Sequence, residues 1–173
     1  MSQIRTILET HRTTEVRAGA SPWIPTATPE RTFLEKLFLL HEEFHKPPHK
    51  IRVTRLSRHL YDLYQLHTKG VGANALEQQA LYNTIVSHRF RYVRVAGMDY
   101  NNLGPRSVNP IPPAQVIKDW KKDYEFMLEY MIYERDPPTF EELINKLDSM
   151  LLNLKTNRWD LDLKFPIIKG KGD

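Results

Sequence analysis

Three groups of side chains in this 173-residue chain have the types and spacing to do chemistry. The densest lies in two stretches, PERTFLEKLFLLHEEF and RLSRHLYDL: Glu35 and Lys36 interrupt an otherwise apolar turn, and Arg58, His59 and Asp62 punctuate the second stretch. Together they are the densest polar constellation in the chain and a candidate site. The same residues also fit a plain structural role. Arg58 and Asp62 stand four apart and can form a surface ion pair on one helical face, and Lys36 can cover the apolar stripe with its stem while its ammonium reaches water.

The second group is basic and aromatic. His88, Arg89 and Arg91 precede, and Arg94 opens, a Gly-, Asn- and Pro-rich stretch from Tyr92 to Pro113 that includes Tyr100. Arg89, Arg91 and Tyr100 are candidate substrate-binding residues, gripping RNA or a nucleotide by charge and stacking. The alternative is an ordered loop packed through its prolines and Tyr100, with the arginines solvated. The third group consists of short patterns. His41-Glu42-Glu43-Phe44-His45 matches H-E-x-x-H literally, with Glu42 as the would-be base, but without a third ligand. Asp160 and Asp162 form a D-x-D whose carboxylates a strand would place on one face, either as a metal site or as a solvated edge.

Twelve prolines divide the chain that positions these groups. Between the first Pro clusters, Phe33, Leu37, Leu40 and Phe44 form a helical stripe, with Thr28 as N-cap and Pro29 at the first helical position. A second helix carries Leu56, Leu60, Leu63 and His67 and stops at Gly70 or Gly72. ANALEQQALYNTIVSHRF reads as one third helix, with Leu76, Ala80, Leu81, Ile85 and Val86 apolar. A fourth starts near Pro112-Pro113 and carries Ile117, Trp120, Tyr124, Met127, Leu128 and Met131. The fifth has Thr139 and Glu142 as a capping box ahead of Phe140, Leu143, Leu147, Met150 and Leu154. The fold expected is mainly α: an irregular or β remnant over 1–28, with a short helix near Ile4–Leu8 and an extended piece near Trp23–Ala27, a five-helix domain over 29–155, and a tail over 156–173.

Composition narrows the classes. With 25 Lys+Arg against 21 Asp+Glu, the net charge of +4 permits an RNA partner without the dense basic stripe of a strong binder. The absence of cysteine excludes disulfides, thiolate zinc sites and cysteine nucleophiles. No stretch approaches the roughly 18 apolar residues of a membrane span, and the first residues lack the apolar core of a secretory signal. A soluble, cytoplasmic protein is expected.

The ordered text of the helices, PERTFLEKLFLLHEEF, RLSRHLYDLYQL, ALYNTIVSHR, GMDY with its later IPP, KDWKKDYEFMLEYMIY and TFEELINKL, resembles the C-terminal helical half of the nucleotidyl transferase AbiEii/AbiGii toxin family over roughly residues 28–155. The resemblance implies a toxin of a type IV toxin–antitoxin system. Such a toxin moves a nucleotidyl group from a nucleoside triphosphate to an acceptor such as tRNA, uses magnesium, and is countered by an antitoxin protein. It places Lys36 on the family's third motif and Arg58 and Asp62 on its fourth, R-x-x-x-D-L. This implies catalytic roles for Lys36, which would neutralise the nucleotide's phosphates, and for Asp62, and a substrate-binding role for Arg58. Many relatives carry Asp where His59 stands here. The family's magnesium ligands follow a Gly-Gly or Gly-Ser turn leading into a D-x-D. No such turn precedes residue 28, and residues 1–28 contain no aspartate. The expectation is therefore the helical half of such an enzyme without its carboxylate-bearing half, or a non-catalytic helical binding module or pseudoenzyme.

Overall fold

The structure, a computed structural model, describes residues 26–156 and 159–166. Among these residues the chain forms six α-helices, two short 3₁₀ turns and no strand. The helices are α1 (Pro29–Phe44), α2 (Ser57–Thr68), α3 (Val71–Glu77), α4 (Gln79–Tyr92), α5 (Ile117–Tyr130) and α6 (Phe140–Lys155). The short helix expected near Ile4–Leu8 and most of the extended piece near Trp23 lie outside the described residues. No helix among the described residues is long and apolar enough to cross a membrane.

α1 is the central element, packed on α2, α3 and α4, while α2 also meets α5 and α6. Its start follows from its sequence: the Thr28 hydroxyl accepts the Arg31 N–H at 3.2 Å, and Pro29 occupies a position where its missing donor costs nothing. Phe33, Leu34, Leu37, Phe38 and Leu40 are fully buried, so this one helix supplies much of the core. The remaining core comes from Leu60, Leu63, Tyr82, Ile85, Val86, Trp120, Tyr124, Leu143 and Leu147. α6 begins on the full capping box expected of Thr139 and Glu142.

The single third helix read from the sequence is two helices. Gly70, at φ +80°, turns α2 directly into α3, and Gln78 at φ −88° and ψ 73° separates α3 from α4. Gly70 ends α2, whereas Gly72 lies buried inside α3, where a Cβ would come within 2.7 Å of His67 Nδ1 and 2.9 Å of Phe33. Ala75, Tyr82, Val86 and Arg89 are buried at spacings that keep helical phase across the break, which hides it from a periodicity argument. Ala80 is exposed, and the buried face of α4 runs instead through Tyr82, Ile85, Val86 and Arg89.

α5 starts at Ile117 and not at the prolines, because Pro113 opens a turn whose carbonyl accepts the Val116 and Ile117 N–H groups. Met131 is the C-cap of that helix and is half exposed. The segment from 93 to 116 packs on the helices. Tyr82 donates to the Leu103 carbonyl at 2.7 Å, and Met98, Tyr100, Leu103 and Val108 are buried. Residues 159–166 return to the same side, with Phe165 4.6 Å from the Phe90 ring and exchanging hydrogen bonds with the Asn101 amide.

Candidate functional site

Lys36 leaves the edge of α1 that faces α2, where its ammonium meets Asp62 Oδ2 at 2.6 Å and His59 Nδ1 at 3.5 Å. Lys36 and His59 are 23 residues apart, so packing of α1 on α2 and not local sequence builds the group. The pair is part exposed, with side-chain exposures of 22% for Lys36 and 40% for Asp62, so an incoming anion can reach it. Asp62 therefore pairs with Lys36, and not with Arg58 as the four-residue spacing allows. Arg58 lies one turn before Asp62 and is exposed.

Burial and the positive charges of Lys36, Arg58 and Arg52 hold the His59 pKa down at about 4, against the opposing pull of Asp62. The ring is neutral near pH 7, and Nδ1, facing an ammonium, acts as acceptor, which leaves the proton on Nε2. Lys36 and Arg58 thus stand with the Asp62 carboxylate beside one imidazole on a part-exposed face, while Arg52 is held by Glu43 at 2.7 Å.

The helix that carries Arg58 and Asp62 has no cap of its own. Leu56 stands at its N-cap, and Asp123 of α5 takes over: its carboxylate accepts the Arg55 N–H at 2.7 Å, the Ser57 N–H at 3.1 Å and the Ser57 hydroxyl at 2.6 Å. These bonds also hold Arg55 at φ 60°, a left-handed backbone that costs a non-glycine residue energy. Asp123 escaped the sequence reading, since nothing local marks a carboxylate 66 residues away as a cap.

The other expected binding residues are placed differently. Arg89 is buried, its guanidinium forked onto Glu42 at 2.8 and 2.5 Å and bonded to Glu35 at 2.8 Å. Tyr100 is buried, and its hydroxyl accepts the Val95 N–H at 3.0 Å. Neither faces solvent. For Arg89 nothing in the sequence signals this, since a basic residue in a last helical turn reads alike whether it meets water or a buried carboxylate. Arg91 is exposed at the end of α4.

The H-E-x-x-H residues are occupied within the fold: Glu42 holds Arg89, His41 Nδ1 accepts the Asn109 N–H at 2.9 Å, and His45 Nδ1 bonds the His41 carbonyl at 2.8 Å. The Asp160 and Asp162 carboxylates serve separate partners, an ion pair with Arg106 and a hydrogen bond from Gln79 at 2.5 Å.

The matched family carries the description nucleotidyl transferase AbiEii toxin, type IV TA system, and its model covers residues 1–146. The chain belongs to this AbiEii family. No curated protein and no solved structure matches it. The AbiEii toxins are nucleotidyltransferases of type IV toxin–antitoxin systems, a reaction class for which magnesium is typical.

Lys36, His59 and Asp62 do not fit such an ion. Magnesium takes near-octahedral oxygen ligands, and the one carboxylate in this group already holds an ammonium. Among the described residues no cluster of three or more His, Asp or Glu side chains could hold a metal.

Proposed function

We propose that Lys36, Arg58 and Asp62 form the helical side of a nucleotidyltransferase site that takes a nucleoside triphosphate and transfers its nucleotidyl group to an acceptor such as tRNA. The observation that carries this reading is the contact between Lys36 and Asp62 at 2.6 Å across two helices, with Arg58 exposed one turn away. Lys36 neutralises phosphate charge as it shifts during transfer. Arg58 binds the same phosphates from the open side, and Asp62 orients Lys36 or accepts the acceptor's proton. His59 supplies a neutral nitrogen that holds the Lys36 ammonium in place. Arg91 and Arg94 are exposed cations available to the RNA, while Arg89 and Tyr100 act through the fold.

The magnesium-binding carboxylates of the reaction come, in this reading, from outside the described residues. A cognate antitoxin protein is the expected partner. The second reading, a non-catalytic binding module, is supported by the separate engagement of the Asp160 and Asp162 carboxylates.

Incubation with labelled triphosphates and total RNA, alone and with a separately supplied N-terminal half of a relative, distinguishes them. Transfer that disappears in Lys36→Met and Asp62→Asn supports the enzyme. Transfer indifferent to both substitutions removes this site, and no transfer under either condition leaves the binding module.

A further inference from the structure

Of the exposed large apolar side chains among the described residues, Tyr92, Val93 and Leu152 belong to other segments, and the remaining four follow one another on and just beyond α5. Phe126 and Tyr130 of α5 are 55% and 56% exposed, and Met131 and Tyr133 follow at 50% and 91%. The Phe126 and Tyr130 rings lie 4.5 Å apart between centroids and tilt by 37°, forming one continuous aromatic ledge. Half-exposed rings paired in this way bury little against the core, and a patch of this kind on a folded domain marks a binding surface.

Two rungs fix where the ledge lies. Asp123 of α5 holds Ser57 of α2, and Glu134 just beyond α5 accepts from Gln65 of α2 at 3.2 and 3.3 Å, so the two helices run side by side in the same direction. Tyr130 is two turns beyond Asp123 and shares its α2-facing edge, and Phe126 is one position further toward solvent. Along the axis Phe126 and Tyr130 stand about 5 and 11 Å beyond Asp123, while Arg58 and Asp62 stand about 2 and 8 Å beyond Ser57. The ledge is thus level with the polar group and borders the outward edge of α2 that carries Arg58.

We propose that Phe126 and Tyr130 are the stacking surface for a nucleobase whose attached phosphates meet Arg58 and Lys36. The proposal rests on the reading of the Lys36 group as a phosphate site. Every base offers a π-face to such rings, so the ledge adds affinity for nucleotides over bare polyphosphate without selecting one base.

The test compares the full chain with Phe126→Ala/Tyr130→Ala and with Lys36→Met in equilibrium binding. Three ligands are titrated in magnesium buffer: a nucleoside triphosphate, inorganic tripolyphosphate and a short single-stranded RNA. The expected result is tighter binding of the triphosphate than of tripolyphosphate by the parent, lost by roughly tenfold in the aromatic double variant while tripolyphosphate binding is unchanged. A loss confined to the RNA assigns the base to the acceptor and supports the ledge equally.

Unchanged binding of both nucleotide ligands overturns the proposal, as does a parent that binds neither. So does a parent that self-associates through these rings, shown by sedimentation, with nucleotide binding untouched by the double variant. The phosphate reading fails on a separate axis: if Lys36→Met leaves tripolyphosphate binding intact while the aromatic variant weakens the triphosphate, the ledge stands and the assignment of Lys36 falls.

Discussion

At the residue scale, the Lys36–Asp62 pair and the buried histidine His41 make opposite demands on the fold. The pair is part exposed, and such ion pairs contribute about 0–1 kcal/mol. Lys36→Met and Asp62→Asn should therefore keep the thermal midpoint near that of the parent while lowering nucleotidyl transfer by roughly 100-fold or more. Parallel melting and turnover measurements check this, and a loss of fold in step with activity would reassign the pair to structure. His41 is fully buried, and burial, with the nearby His45 ring adding to it, pushes its pKa down to about 3. The unfolded chain then binds this proton more readily than the folded one. The stability that the neutral ring carries is complete above about pH 6.5 and declines as pH falls toward 3, by about 1.4 kcal/mol per pH unit at most. His41→Asn, which keeps an acceptor for the Asn109 N–H, should flatten that part of a denaturation-versus-pH series. In the sequence, Lys36 and Asp62 stood out through the ordered text around them. Their spacing said nothing of their contact, which depends on how two helices meet. His41 was legible only as half of an H-E-x-x-H, because burial and the partnership with Asn109 are tertiary facts.

At the element scale, the helices that announce themselves are those with caps inside their own sequence. Thr28 with Pro29, and Thr139 with Glu142, set the starts of α1 and α6 where local chemistry requires them. The break at Gln78 and the late start of α5 were not legible, since the first preserves helical phase and the second replaces a proline start by a turn. α2 is the extreme case, with its cap supplied by another helix. Removing that carboxylate in Asp123→Ala leaves the Arg55 and Ser57 donors without their acceptor, and should cost about 1–3 kcal/mol in chemical denaturation. The variant should also weaken triphosphate binding, because Arg58 is the second residue of the helix that loses its cap. Asp123→Asn keeps one acceptor oxygen and puts an NH2 donor against the remaining backbone N–H, so it should fall between the parent and Asp123→Ala at best. Wild-type stability in either variant would show that the cap contributes nothing.

At the scale of the whole molecule, the apolar core and one buried charge cluster hold the array together. Arg89 joins α4 to α1 by bonding Glu42 and Glu35, and Glu42 is itself buried. Arg89→Ala strands that carboxylate and should destabilise the protein by about 3–5 kcal/mol, whereas the double replacement Arg89→Met with Glu42→Leu should cost far less. Urea unfolding of the single and double variants measures the difference, and equal losses would refute the stranded-charge account. The helical class was legible in the sequence because apolar periodicity and proline punctuation are whole-chain properties, while the partner of each charge was not. The trans cap on α2 also bears on how the chain acquires its site. Because the cap reaches back over 66 residues of sequence, the first turn of α2 cannot be secured until α5 has docked. Of the long-range contacts in a largely local helical topology, this is one that a growing chain must wait for. Synthesis well past residue 117 therefore precedes a finished Arg58–Asp62 edge, and the chain passes through its early folding with that edge unformed.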